Sequence, residues 1–241
     1  MKFCRFELVA EPGTARTGIA YEGRIYETDG TNAIGIHEAP DIRLLAPVGR
    51  PPSVRIFRLG DHTFDYAHPA AMYGPTIILP LPPEVERVAY TPCLAVIVGG
   101  AGKSVPTAQA DDLVLGLALA HVFSTLRDPG GRALDAGFCV GPALVTPDEF
   151  ASDSIRPEGG AIYEDSVAFF RNGAELATFE LGTIRPSPAS AIAHASETQP
   201  LFEADVLLIP IGEIDLTPEA GDELKLVSPR LGALLVNLVK R

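Results

Sequence analysis

The chain has 241 residues, 46% of them hydrophobic and 21% charged, and its 31 acidic against 19 basic residues give a formal net charge of −12. A length of this order suits one large domain, or a main domain with a small appendage, and a core that needs no disulfide staples. The negative balance excludes non-specific binding to nucleic acid or to anionic membrane, because both need a positive field.

From the N-terminus, MKFCRFELVA carries no charged segment followed by a long apolar run, so no secretory leader is expected. Lys2–Leu8, Arg16–Tyr21 and Gly23–Ile25 alternate as strands joined by Gly and Pro turns. The Gly49-Arg50-Pro51-Pro52 breaker sets a domain boundary at about residue 50, giving a small domain over 1–50 and a main domain over 51–241. Residues 65–74 read as a short helical turn, and Pro80, Pro82 and Pro83 punctuate a loop. Leu94–Val98, bounded by Pro92 and Gly99-Gly100, is a buried strand, and Ala108–Leu113 a short helix. Leu113–Phe123 is apolar on all sides, so its periodicity does not separate strand from helix. Ser166–Arg171, Glu175–Phe179, Val206–Ile211, Glu223–Val227 and Leu234–Val239 read as strands, and Ala189–Ser196 as a helix. Asn172-Gly173 marks a hairpin, because both residues tolerate positive φ. The fold class expected is α+β and strand-rich.

No window of 18 or more apolar residues occurs, so no membrane span is expected. Cys4, Cys93 and Cys139 are odd in number and lack CxxC spacing, which points to free thiols and a cytoplasmic location. The five histidines, His37, His62, His68, His121 and His194, show no HxH or HxxxH pairing.

Several segments, in one order, resemble the fumarylacetoacetate hydrolase superfamily. They are MKFCRFE with TGIAYEGRIYE, RLLAPVGRPPSVRIF, PAAMYGP, LAVIVGGAGKSVPTAQADDLVLG, DAGFCVGPALVTPDEF, FRNGAEL and AGDELKLVSPRLGALLVNLV. PAAMYGP is similar to a segment of the 2-hydroxyhepta-2,4-diene-1,7-dioate isomerase subgroup. The resemblance implies a mixed β-roll or sandwich main domain with a small N-terminal β domain, and pairing as a homodimer. It implies chemistry on small β-diketo or 2-oxo acids through an enolate, with Mg²⁺ or Mn²⁺ chelating the substrate oxygens.

At the positions that would ligate this metal the chain departs from the family. The family's Glu-x-Glu before the central strand falls on Thr91 and Cys93, and its third carboxylate on Val122. Neutral hydroxyl, thiol and hydrocarbon groups are poor donors for a hard dication, so no metal cofactor is expected. The family's lysine position falls on Arg132, with Asp135 three residues further on, and its Gly-Ser-Gly-Thr loop on Leu208-Ile209-Pro210-Ile211. Asp61-His62 lies near the family's lid carboxylate/histidine pair, so Asp61, His62 and Arg132 are the candidate catalytic residues. Tyr73, His68, His121, Asp135 and Cys93 are candidate pocket residues. For His121, within an apolar run, a hydrogen-bonded core histidine is the competing reading, and Cys93 also reads as a small buried hydrophobe.

Three functions remain open at this level. One is a degenerate member that binds a small oxo acid or related ligand. A second is a metal-independent enzyme using Asp61, His62 and Arg132. The third is a conventional metal-dependent hydrolase, isomerase or decarboxylase whose ligands are displaced to Glu84, Glu86 and Asp128.

Overall fold

A computed structural model describes residues 1–75, 77–81, 88–125, 136–150 and 160–240. Alternating sequence builds the N-terminal strands β1 (Lys2–Leu8), β2 (Glu11–Tyr21), β3 (Arg24–Thr28), β4 (Ala33–Glu38) and β5 (Ile42–Leu45). Next come β6 (Val54–Phe57), β7 (Phe64–Ala67), β8 (Met72–Tyr73), β9 (Ile77–Leu81) and β10 (Val88–Val98). Helix α1 (Thr107–Ala110) leads to the long β11 (Val114–Thr125) and then to β12 (Phe138–Val145). The last third holds β13 (Ser166–Arg171), β14 (Ala174–Glu180), helix α2 (Pro188–Ala195), β15 (Val206–Pro210), β16 (Glu223–Ser228) and β17 (Gly232–Lys240).

These strands form two sheets among the described residues. The larger runs β4-β3-β2-β1-β12-β11-β10-β15-β6-β7, with β5 against β1 and β8 against β12; the smaller runs β14-β13-β16-β17-β9. The strand-rich α+β expectation therefore holds. Between the sheets lies the main core, with Leu94, Val96, Leu117, Leu119, Phe169 and Leu226 among its buried members. A second cluster, including Cys93, Ala95, Ala118, Ala120 and Leu208, covers the opposite face of the large sheet. A third, small cluster joins Cys4, Phe6 and Ile25 of the segment before residue 50 to Ala143 of β12. That segment shares the large sheet, because β1 pairs with β12.

The ambiguous apolar run Leu113–Phe123 resolves as strand. As β11 it pairs with β10 and β12 at its edges, and its two faces enter different clusters, Leu117, Leu119 and Phe123 on one side and Ala118, Ala120 and Val122 on the other, so alternation vanishes. Gly116 is required there: a Cβ would stand 2.2 Å from Leu144 Cδ2 and 2.8 Å from the Val145 carbonyl. The strand expected at Leu94–Val98 begins earlier, at Val88, and runs through Pro92. Proline removes one donor, but the Pro92 carbonyl still accepts from Ile211 N at 3.0 Å. Residues 65–74 hold less helix than expected, with only the Pro69–Ala71 turn lying between β7 and β8. The Asn172-Gly173 hairpin forms as read, with φ of 51° and 81°.

Helix α2 starts where its sequence dictates. Ser187 caps it by accepting a hydrogen bond from Ser190 N at 3.1 Å, and Pro188 sits where no amide donor is needed. The buried Arg55 on β6 closes its other end, donating to the Ala195 carbonyl at 2.7 Å and to Pro200 O at 3.2 Å. This guanidinium also lies over the rings of Phe64 and Tyr66, at 5.6 and 5.5 Å, which ties β6 and β7 to the helix.

Candidate functional site

Side chains alternate across a strand, so paired residues of neighbouring strands share a face. Asp65 on β7 pairs with Ile56 on β6, Pro210 on β15 pairs with Cys93 on β10, and Thr91 pairs with Val122 on β11. This row crosses five strands of the large sheet. At its end a cleft of about 370 Å³ opens, lined by Ile56, Arg58, Asp65, Thr91, Val122 and Ser124 with the 210–214 segment.

The described charges of the cleft are Arg58, Asp65 and Glu213. The Arg58 guanidinium grips the Asp65 carboxylate, with contacts of 3.2 to 3.4 Å, and both side chains are more than half exposed. The rest of the lining is neutral, with hydroxyls at Thr91 and Ser124. Such a cleft can seat a small carboxylate against Arg58 and hydrogen-bond its other oxygens.

Thr91, Cys93 and Val122, where the resemblance implies metal ligands, bring no carboxylate to the cleft. Thr91 and Val122 face the cleft, and Cys93 lies beneath it, fully buried, with Sγ 3.8 Å from the Thr91 carbonyl oxygen. Burial pushes the Cys93 thiol well above its ordinary pKa, so it stays protonated and is a poor ligand. Among the described residues no group of three His, Cys, Asp or Glu side chains is placed to hold a metal ion. The alternative ligands Glu84, Glu86 and Asp128 lie outside the described residues, as do the candidates Arg132 and Asp135.

The other candidates sit away from the cleft. Asp61 is bound to its own turn, accepting from Thr63 N and Thr63 Oγ1 at 3.0 Å each, and these bonds hold its carboxyl below the usual range. His62 does not line the cleft; its Nδ1 stands 3.5 Å from Ser190 Oγ on α2. His68 caps the Pro69–Ala71 turn, accepting from Ala70 N at 3.1 Å. Tyr73 is half-buried and packs against the core between the sheets.

His121 takes the core reading and not the pocket one. It lies on the opposite face of β11 from Val122, fully buried, with Nδ1 2.8 Å from Tyr90 Oη and Nε2 3.1 Å from Leu234 O. The carbonyl can only accept, so Nε2 carries the proton and Nδ1 accepts from the tyrosine. Burial lowers the His121 pKa from 6.5 to about 4.

The pH dependence of stability follows. Above about pH 6.5 neither state holds the extra proton; between 6.5 and about 4 the unfolded chain binds it and the native chain does not. Stability is therefore lost as pH falls through this window, by about 2 kcal/mol from this group between ~pH 7.5 and ~pH 5. Urea unfolding at the two pH values checks it. The slope should flatten in His121→Leu, although that variant is less stable throughout; equal slopes would contradict the assignment.

Arg58, Asp65 and Glu213 escaped the sequence reading. The available signal was the pair of short apolar segments VRIF and FDYA flanking a Gly60 turn, which as a hairpin sets Asp65 opposite Ile56.

The comparisons with known proteins accord with this architecture. The family model described as Fumarylacetoacetate (FAA) hydrolase C-terminal matches residues 59–239. Human oxaloacetate tautomerase FAHD2A, mitochondrial, is 30% identical over 229 residues, covering 83% of this chain and 70% of that protein. The Bos taurus protein of the same name is 31% identical over 230 residues, with the same coverage of 83% and 70%. Among solved structures, 5-carboxymethyl-2-hydroxymuconate delta-isomerase from Mycobacterium smegmatis superposes with a TM-score of 0.81 at 19% identity, over 100% of this chain and 99% of that one. Maleylpyruvate hydrolase from Sphingobium sp. SYK-6, in complex with manganese(II) and pyruvate, gives 0.80 at 18% identity, also over 100% and 99%. At these identities the two structures establish a common fold alone.

Proposed function

Because the chain belongs to the fumarylacetoacetate hydrolase family, we propose that it keeps the family's cleft but binds a small oxo acid or related carboxylate there without a hard divalent cation. The observation that carries this reading is the placement of Thr91 and Val122 on the cleft wall, with the protonated thiol of Cys93 beneath it. In this reading Arg58 pairs with the ligand carboxylate, and Thr91 and Ser124 offer hydroxyls to its second oxygen. Where the ligand is a keto acid, a guanidinium can stabilise enolate charge, less strongly than a dication. Asp65, beside Arg58, and Glu213 are then the described carboxylates of the cleft that could move a proton.

The names of the curated relatives support a second reading. Oxaloacetate tautomerases interconvert keto and enol forms of a dicarboxylic oxo acid, and a metal-dependent version of that reaction here would need Glu84, Glu86 and Asp128 as ligands. Calorimetric titration with pyruvate separates the two. The first reading expects the same affinity, within about twofold, in excess EDTA and in added Mn²⁺. Binding that appears only with Mn²⁺ would establish the second.

A further inference from the structure

The turn between β6 and β7 rests on helix α2 through two imidazoles. The His62 and His194 rings have centroids 5.5 Å apart and are tilted by 52°. Each ring has its Nδ1 beside an oxygen: His62 against Ser190 Oγ at 3.5 Å, His194 against Glu197 Oε1 at 3.3 Å. Neither Nε2 has a partner among the described residues. His62 is exposed and His194 half-buried, so both rings are open to solvent.

We propose that His62 and His194 form a two-imidazole site for a borderline divalent transition-metal ion, Cu²⁺, Ni²⁺ or Zn²⁺, bound through the two Nε2 atoms. This is distinct from the cleft and independent of its chemistry. The Glu197 carboxylate can only accept, so His194 Nδ1 carries the proton and the Nε2 lone pair is free, the arrangement seen behind metal-ligating histidines, while the Ser190 hydroxyl can donate to His62 Nδ1 or accept from it and so permits either tautomer there. With a metal–nitrogen bond of about 2.0–2.1 Å, two imidazoles bound at a tetrahedral angle have ring centroids roughly 5 Å apart. The observed 5.5 Å needs only a small closure. Imidazole selects the later metals of the Irving–Williams series and discriminates against Mg²⁺ and Mn²⁺. Two protein ligands leave the remaining positions to water or to a small ligand, which sets a modest affinity. Arg55, over the Phe64 ring that itself packs on His194, opposes a cation; Glu197, against His194 Nδ1, offsets it.

The site would join α2 to the turn that shapes one wall of the cleft. Arg58 and Leu59 lie on the same turn as His62, and both line the cleft. A bound ion would therefore cross-link that rim to α2.

Cu²⁺ titration of the full chain, followed by electron paramagnetic resonance, tests the proposal. One Cu²⁺ per chain with nitrogen hyperfine structure is expected, and His62→Ala and His194→Ala should each weaken binding at least about tenfold. His68→Ala, at an exposed turn, should leave it unchanged. Failure of the wild-type chain to bind Cu²⁺, or binding that survives both histidine substitutions, would overturn the assignment. Both substitutions fall on solvent-open side chains, and thermal melting of each apo variant verifies that the fold is retained.

Discussion

Asp205→Ala should destabilise the chain by about 3 kcal/mol or more, the largest loss expected from any single polar substitution considered. Asp205 is 1% exposed. Its Oδ1 accepts from Ser53 N at 2.7 Å and Ser53 Oγ at 2.8 Å, and its Oδ2 from Phe202 N at 2.9 Å. Its backbone joins the ladder as well, since Val98 N donates to the Asp205 carbonyl at 2.9 Å. One side chain thus fixes where β6 begins relative to β15 and β10. Alanine would leave these donors without an acceptor, each at a cost of about 1 kcal/mol or more. Asp205→Asn keeps one acceptor for Ser53 but turns a donor toward the Phe202 amide, so an intermediate loss is expected. Urea unfolding of the three proteins gives the ranking. A loss below about 1 kcal/mol for alanine would show that solvent replaces the carboxylate. Because β6 carries Ile56 and leads into Arg58, the alanine variant should also bind pyruvate more weakly.

Arg58→Ala should weaken pyruvate binding by about ten- to a hundredfold, which is the free energy of a charge-assisted hydrogen bond to a carboxylate. The lower end is favoured, because Arg58 is more than half exposed and already shares its charge with Asp65. Arg58→Lys should recover part of the loss, since a point charge keeps the attraction without the planar pair of donors. Asp65→Asn should do the opposite of Arg58→Ala and tighten a monocarboxylate, by freeing the guanidinium. The exposed pair contributes no more than about 1 kcal/mol to folding, so the melting curves should barely move. Unchanged affinity in Arg58→Ala would place the carboxylate elsewhere.

Much of this fold was legible in the chain. Alternation gave β1 and β13 at their observed bounds, and Asn172-Gly173 marked its hairpin, because half-buried strands and left-handed turn residues leave local signals. Leu113–Phe123 was not decidable, because a strand buried on both faces has no periodicity to read. The site was less legible for a similar reason. Thr91 and Cys93 fell just before the expected strand and Val122 in the undecided run; only the extension of β10 back to Val88 and its pairing with β11 set Thr91 opposite Val122. For His121 the hydrogen-bonded core reading holds and the pocket reading does not, because neighbours on a strand face opposite ways and one residue decides between cleft and core. Arg58 follows one four-residue strand and Asp65 lies in the next, both too short to show a pattern, and the nearby Asp61-His62 drew the reading to a turn that faces α2. The contact of His62 with His194 joins residues far apart in sequence, and no local spacing announces it.

Titration of the chain with Mn²⁺ in the presence of pyruvate, followed by electron paramagnetic resonance, asks most directly whether the cleft holds a hard cation. A cleft walled by Thr91 and Val122 predicts that the signal of free Mn²⁺ grows in proportion from the first addition. One Mn²⁺ bound per chain before that signal appears, and held more tightly with pyruvate than without it, would contradict the account.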